Sequence, residues 1–270
     1  MKEPKEAVTI NDILAQLQMV IDFSIKSNSR IGYFAALYHK VTLKVKEGIL
    51  NREFEDGIRM EKFDVIFAKR YLDAVTQWNA DVEPTPPWLV SFKATASHSP
   101  LLLQHLLLAM NAHINFDLAI AAVELARTGY NIQALRRDFM SINNILGSLA
   151  LEVTTQINKV SPLMSLFGLH ATNNALLIQF SISNARDGSW NFAEELNSKQ
   201  GEDYAACITA RAETIKQLGE ALITTKGLIR ITMFFIYLFE WKIPRRIIGV
   251  LFNIKKMYVR PPQRKGSTTW

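Results

Sequence analysis

The sequence predicts an all-α protein: a single compact domain of about ten helices in which an apolar helix over residues 100–128 is buried. Three observations support this fold class. Apolar residues recur at spacings of three and four through long segments, and strand-like alternation persists nowhere. Glycine and proline, 12 and 9 of 270 residues, cluster in a few places and leave those segments uninterrupted. A chain of 270 residues is long enough to form one large core.

Four helices are expected before the apolar one. The first covers Thr9 to about Lys26, because Thr9 and Asp12 have the spacing of a capping box. Prolines at positions 84, 86 and 87 must interrupt the segment between the third and fourth helices, since proline cannot continue a helix. Apolar spacing places the second, third and fourth helices over residues 31–46, 59–78 and 88–98.

The buried apolar helix is expected to start at Ser99-Pro100, with serine as the N-cap and proline at the first helical position, and to end at Gly129. Later helices are predicted over residues 131–159, 162–183, 186–198 and 202–241, followed after Pro244 by an amphipathic segment to about Tyr258. We therefore divide the chain into a helical domain, residues 1–241, and a basic amphipathic segment with a polar tail, residues 242–270.

Charge is uneven along the chain. The net charge is +6, but residues 242–265 contain lysines and arginines and no acid, so the helical domain alone is close to neutral. Nucleic-acid binding is therefore not expected, whereas peripheral membrane contact through residues 242–260 is an open alternative. No apolar segment follows the polar start at Met1, so we expect a cytoplasmic location with membrane association through the C-terminal segment.

The apolar helix carries a lane of polar residues that its burial should enclose. At about 100° per residue, His113, Asp117 and Glu124 fall within about 120° of His105. An ionised carboxylate in an apolar interior needs a partner, and His113, one turn before Asp117, is placed to be one. A histidine beside a carboxylate is typical of acid–base and metal sites. The same groups could equally form a structural hydrogen-bonded network between helices.

Candidate site residues follow from this lane. We assign His113 as general base or metal ligand and Asp117 as the group that orients it, with Asn111 and Asn115 as further catalytic candidates. Candidate substrate-binding residues are His105, Tyr38, Tyr71, Asn143 and Arg186. For Arg186 itself, an exposed helix start is the simpler expectation.

A divalent metal is the cofactor that this lane allows, although one helix does not supply three or four ligands. The further ligands would have to come from Asp138, Glu152, His39 or His170. For Asp138, the spacing favours a helix cap or a surface ion pair. The single cysteine excludes a disulfide framework and a cysteine-based zinc site.

The segment Asn111-Ala-His113-Ile-Asn115-Phe-Asp117-Leu resembles the most distinctive motif of a bacterial family, domain of unknown function 5995. Similar segments follow the family order at residues 33–42, 63–71, 88 and 136–143. The family has no agreed activity, so this resemblance implies a helical fold and a site location rather than a reaction. The pair His113 and Asp117 also resembles the ligand helix of zinc-dependent phospholipases C, but the proline and histidine that follow there are absent.

Three functions are consistent with these observations. The leading hypothesis is an enzyme acting on a small apolar molecule, with a His/Asp acid–base or metal site in a buried pocket. The second is a non-catalytic module that binds a lipid, a membrane or a partner. The third is a metal-dependent hydrolase of phosphate esters. Oligomeric state has no sequence signal here.

Overall fold

The structure is a computed structural model that describes residues 6–164, 171–224 and 227–252. In these ranges it contains helices and no strand, which confirms the all-α prediction. The helices are α1 (Ile10–Ser27), α2 (Gly32–Leu50), α3 (Gly57–Asn79), α4 (Pro86–Ala96), α5 (Leu102–Ala112), α6 (Leu118–Arg127), α7 (Ile132–Val160), α8 (Ala171–Asn197), α9 (Gly201–Ile223), α10 (Gly227–Phe239) and α11 (Pro244–Leu251). A π-helical turn, His113–Asp117, joins α5 to α6, and a short 3₁₀ turn, Pro162–Met164, follows α7.

Helix α1 begins with the predicted capping box. The backbone N–H of Asp12 donates to the Thr9 hydroxyl, and the Thr9 N–H donates to the Asp12 carboxylate. Asn28 ends the helix in the left-handed conformation, with φ of 55°, which asparagine adopts more easily than most residues. The short connection then turns the chain back, so that α1 and α2 pack against each other.

The interior consists of two apolar clusters. One is formed mainly by side chains of α1, α2, α3, α4, α5 and α11, and the other by side chains of α3, α6, α7, α8 and α9. The continuous rod of α5, the π turn and α6 contributes to both, because α5 lies in the first cluster and α6 in the second. Each large side chain that is fully buried in these clusters stabilises the fold by roughly 1.5–3 kcal/mol.

The central rod confirms the predicted buried apolar helix, with a different start. It begins at Leu102, because Gln104 and Glu240 accept the backbone N–H groups of Leu101 and Leu102, and Ser99 therefore does not act as its cap. Among the described residues, the span Leu102–Arg127 is the one long and apolar enough to cross a membrane, but 83% of its most apolar window is buried in the protein. It is the core helix of this fold.

Two predicted helix boundaries in the second half are wrong. The expected break near residues 183–186 does not occur, since α8 runs unbroken to Asn197 and packs along α7. The expected helix over residues 202–241 is two helices. Helix α9 ends at Ile223, and α10 starts at Gly227, whose φ of 60° is a conformation that favours glycine.

The C-terminal segment starts a new helix at Pro244, as predicted. Its apolar residues Ile247, Ile248 and Leu251 are buried, and the Arg245 N–H donates to the side chain of Asn28. Over these residues the segment packs on α1, α2 and α7. The rest of the predicted amphipathic segment, up to Tyr258, lies outside the described residues.

Candidate functional site

His113 and Asp117 are the first and last residues of the π turn in the central rod. The N–H of Leu118 donates to the carbonyl of His113, five residues back, so the turn contains one more residue than an α-helical turn. Such single turns occur frequently at functional sites, since they change the direction of the side chains on either side. The extra residue separates the polar lane into a part on α5 and a part on the π turn and α6.

Asp117 is buried and takes its hydrogen bonds from other helices. Trp88 Nε1 donates to one carboxylate oxygen at 2.6 Å, and Arg70 Nε donates to the other at 3.0 Å. Arg70 also donates to Glu124 at 2.8 Å, which ties the last two acids of the lane together. The distance from His113 Nδ1 to the nearest Asp117 oxygen is 3.9 Å, beyond hydrogen-bond range. The partners that Asp117 requires are therefore Arg70 and Trp88, rather than His113.

The His113 imidazole lies among aromatic rings. It stacks on Phe67 with a centroid distance of 3.7 Å, and the Tyr38 ring meets it edge-on at 4.5 Å. Neither ring nitrogen has a hydrogen-bond partner among the described residues. Burial lowers the pKa of His113, although the nearby Asp117 opposes the shift. The ring is therefore a neutral imidazole that retains both its hydrogen-bonding nitrogens.

His113 borders a cavity of about 100 Å³ at the seam between the two apolar clusters. Most of its wall is aliphatic and aromatic, from α2, α3, α5, α7 and α8. Its polar lining residues are Tyr38, Asp64, His113 and Arg186. In each of these four side chains, at least one buried polar atom has no hydrogen-bond partner in the described part of the chain. The cavity is thus an apolar space bordered by unsatisfied polar groups.

Asp64 and Arg186 border the same cavity, yet no ion pair joins them within the described ranges. Burial, assisted by the charge of Glu61, raises the pKa of Asp64 to about 7. Burial also lowers the pKa of Arg186 to about 9. Arg186 lies inside α8 and is buried, so the expectation of an exposed helix start was wrong. The reason is that α8 continues through residues 183–186 and turns this side chain toward Phe139.

His105 and Tyr71 border a separate, smaller cavity of about 10 Å³. The side chain of Phe34 contributes to the walls of both cavities and so stands between them. Both His105 ring nitrogens lack a partner among the described residues, and burial lowers the pKa of His105 to about 4. His105 and His113 belong to the same lane, but they face different spaces.

Asn111 and Asn115 face α9 instead of the cavity. Asn111 Nδ2 donates to the Ile215 carbonyl at 2.8 Å, and Asn115 Nδ2 donates to Asn111 Oδ1 at 2.9 Å. Arg211 donates to the Asn115 carbonyl at 3.1 Å. Asn143 lies on α7 and borders neither cavity. The motif therefore divides into an α9-facing amide pair and a cavity-facing histidine.

The residues proposed as further metal ligands are dispersed. Asp138 is neither a cap nor a surface ion pair, because it is fully buried and pairs with Arg59 at 2.6 Å. Glu152 is exposed and pairs with Lys40, while His39 meets the Phe252 ring. His170 lies outside the described residues. In residues 6–164, 171–224 and 227–252, no three histidine, cysteine or acidic side chains form a metal-binding group.

Comparison with protein families decides what the chain is related to. The model of a family of unknown function, DUF5995, matches residues 10–225. The chain belongs to this family. The match includes every residue that borders the cavity, so the cavity lies in the DUF5995 domain. It ends before α10, so α10 and α11 follow this domain. Comparison with curated proteins and with solved structures finds no match to the chain.

Three residues of the site were not singled out in the sequence: Asp64, Arg70 and Trp88 as partner of Asp117. Asp64 and Arg70 lie in the segment 63–71, and both that segment and Trp88 carry the family resemblance, which was the available signal. Helical spacing within one segment does not show which charged side chain of another helix reaches Asp117. That information is tertiary.

Proposed function

We propose that the cavity beside His113 binds a small, mainly apolar molecule that carries one hydrogen-bonding group. The observation that carries the proposal is the set of unsatisfied polar atoms around an apolar space. Leaving a buried donor or acceptor unpaired costs about 1–3 kcal/mol, so most proteins avoid it. A ligand that hydrogen-bonds to His113 or Tyr38 would recover that free energy.

The size of the cavity limits the ligand. An engineered protein cavity of about 150 Å³ accommodates benzene. A space of about 100 Å³ therefore suits a smaller group, such as a chain of about four carbon atoms. The aromatic and aliphatic walls favour the apolar part of the molecule, while His113 and Tyr38 select its polar end.

Methionine methyl signals in an NMR titration with n-butanol test this proposal. Met60 and Met110 border the cavity, whereas Met19 is exposed on α1 and serves as an internal control. We expect n-butanol to shift the Met60 and Met110 signals and to leave that of Met19 in place. The variant Ala150→Leu fills the cavity and should abolish the shifts, while Thr155→Leu, exposed on the same helix, should preserve them. Shifts that survive Ala150→Leu would refute the proposal.

Acid–base catalysis is the finer form of the same proposal. Arg70 and Trp88 hold the Asp117 carboxylate near His113 Nδ1, at 3.9 Å. Catalytic hydrogen bonds are often long in unliganded proteins and shorten when a substrate binds. If this one shortens, Asp117 accepts Nδ1–H and leaves Nε2 as the base. Nitrogen NMR should then show the Nδ1-protonated tautomer of His113 with n-butanol bound. The Nε2-protonated tautomer in that state would exclude this form.

A second candidate function is attachment to an anionic membrane, favoured by the exposed face of α10. Its outer surface presents large apolar side chains, of which Phe234 is 57% exposed. The exposed residues are Ile231, Phe234, Phe235, Leu238 and Phe239 on α10, together with Trp241 just after it. The apolar face of α11 is buried on the domain, so α10, rather than residues 244–251, supplies the apolar surface for this candidate.

Charge indicates which surface the exposed face of α10 would meet. Arg230 on α10 and three cations that follow it in the sequence, Lys242, Arg245 and Arg246, are exposed. Glu240, the single acid after residue 227, is buried and bound to Ser161 and Leu102. Aromatic residues flanked by cations are typical of helices that lie in the interface of an anionic bilayer.

Vesicle co-sedimentation tests the membrane candidate. The protein should bind phosphatidylglycerol vesicles, bind phosphatidylcholine vesicles less, and release with added salt. Phe234→Ser/Phe235→Ser should weaken binding, whereas Leu43→Ser/Leu50→Ser, at exposed positions of α2, should not. Equal binding by both double variants, or none by the unmodified protein, would reject this candidate.

A further inference from the structure

Arg186 is a buried cation on the wall of the cavity. Its residue is 2% exposed, and its guanidinium lies 4.4 Å from the centre of the Phe139 ring. One terminal nitrogen donates to the Phe139 carbonyl, while Nε has no hydrogen-bond partner in the described residues. The side chain therefore retains a free donor at the cavity.

Arg186 forms no ion pair with a carboxylate of the described residues, unlike the buried Arg59 and the half-buried Arg70, although the charge of the adjacent, exposed Asp187 acts on it. No carboxylate of the described residues lies within ion-pair distance, 4.0 Å, of its guanidinium. Outside the described ranges the sequence contains one acidic residue, Glu3. By contrast, Arg59 pairs with Asp138 at 2.6 Å, and Arg70 pairs with Asp117 at 3.0 Å.

An uncompensated charge in an apolar interior is costly, and a hydrophobic residue of the same size would be the more stable choice. The compensating anion can come from the molecule that occupies the cavity. Asp64 does not take this role, although it borders the same space, since it forms no ion pair with Arg186 in the described ranges. Its raised pKa leaves much of it protonated near neutral pH, and a protonated carboxyl can donate to an anion.

We propose that Arg186 binds the carboxylate of a short-chain carboxylic acid whose apolar chain fills the cavity beside His113. This inference rests on the proposed function, and it adds the chemical class of the ligand. A guanidinium matches a carboxylate in geometry as well as in charge. A phosphate dianion is more strongly hydrated than a carboxylate, so moving it into this mainly apolar space would cost more free energy.

The test compares butanoate with n-butanol, which share a four-carbon chain and differ in charge. Binding is followed through the Met60 and Met110 methyl signals of the full chain. The unmodified protein should bind butanoate at least about tenfold more tightly than n-butanol, as expected for a charge-assisted hydrogen bond. Arg186→Met should remove this preference, so that the affinities of the variant for butanoate and n-butanol agree within about twofold.

Two further variants serve as controls. Arg186→Lys keeps the cation and should retain part of the preference for butanoate. Arg211→Met removes a half-buried arginine on α9 that stacks on Phe192, away from this cavity, and should change neither affinity. If Arg186→Met does not fold, the comparison of the two ligands in the unmodified protein still decides.

The outcomes separate this inference from the proposed function. Equal affinities for butanoate and n-butanol in the unmodified protein would overturn the carboxylate assignment and leave the cavity as a binding site for neutral molecules. A preference for butanoate that persists in Arg186→Met would also overturn it. If neither molecule shifts the Met60 and Met110 signals, the proposed function fails together with the inference.

Discussion

Asp64 and Asp138 are both buried, but their surroundings differ completely. Asp138 accepts the backbone N–H groups of Glu55 and Asp56 and pairs with Arg59 at 2.6 Å. Asp64 is 4% exposed, borders the cavity, and has an oxygen without a partner in the described residues. The first is explained by stability, since it fastens the loop before α3 to α7. The second opposes stability and needs another explanation, which the proposed ligand would provide.

The largest effect is expected at the satisfied site. Asp138→Ala leaves Arg59 buried without its partner and frees the loop N–H groups, so we expect a loss of about 3–5 kcal/mol in the free energy of unfolding. Urea unfolding followed by circular dichroism measures it. Asp187→Ala, at an exposed position, should change stability by less than about 0.5 kcal/mol. Similar effects of the two substitutions would remove the basis of the contrast.

Asp64→Asn should raise the free energy of unfolding, whereas Asp138→Ala lowers it. Removing an ionisable group from a site that disfavours its charge should stabilise the protein by about 2–3 kcal/mol above neutral pH. The folded pKa of Asp64, about 7, exceeds the unfolded value, so the contribution of Asp64 to stability falls as pH rises from about 4 to about 7. The gain from Asp64→Asn should therefore grow over that window and vanish below it.

Urea unfolding at a series of pH values checks this prediction. Asp73→Asn provides a matched comparison, because Asp73 lies on the same helix and is more exposed, and its pKa is raised to a smaller degree. A constant difference between Asp64→Asn and the unmodified protein at every pH would show that Asp64 is ionised in the folded state. The contrast with Asp138 would then be one of packing rather than of charge.

The sequence predicts the central helix and its burial. Apolar spacing predicts the helix, and a rotation of about 100° per residue correctly places His113 and Asp117 inside the domain. It could not predict the partners of Asp117, because Arg70 and Trp88 come from helices whose packing is not encoded in local spacing. The sequence also does not predict the π turn, because a rotation of about 100° per residue assumes a regular α-helix.

Asp64 and Asp138 also show that sequence spacing cannot predict the partners of a buried acid. Both are acids in amphipathic segments, and sequence spacing assigned Asp138 to a cap or surface pair. Only the approach of α3 and its preceding loop to α7 encloses Asp138 with three donors. Whether a buried polar group is satisfied depends on neighbours distant in sequence.

His113→Phe should give a smaller gain, about 1–2 kcal/mol, because it keeps the ring that stacks on Phe67 and removes two unsatisfied nitrogens. Burial lowers the folded pKa of His113 below the unfolded value near 6.5, so the unfolded chain takes up the proton first as pH falls. The ionisation of His113 should therefore lower stability as pH falls below about 6.5, a contribution that His113→Phe lacks.

His105 contributes to the same loss of stability at low pH, because burial lowers its pKa to about 4. The measurement that separates the two histidines is therefore n-butanol binding. His105→Phe alone should flatten the profile in the same direction without altering n-butanol binding, because His105 does not border the larger cavity. A protein in which His113→Phe is both less stable and unaltered in binding would make His113 a structural residue, like Asp138.

The smallest effect is expected at Asn115, which shares the sequence motif with His113 but faces α9. Asn115→Ala removes a hydrogen bond to Asn111 and should cost about 0.5–1 kcal/mol in urea unfolding. The n-butanol shifts of Met60 and Met110 should be unchanged, because Asn115 does not border the cavity. If Asn115→Ala instead abolished binding, the amide pair and the histidine would act as one unit, and the site would have to extend through the central helix to α9.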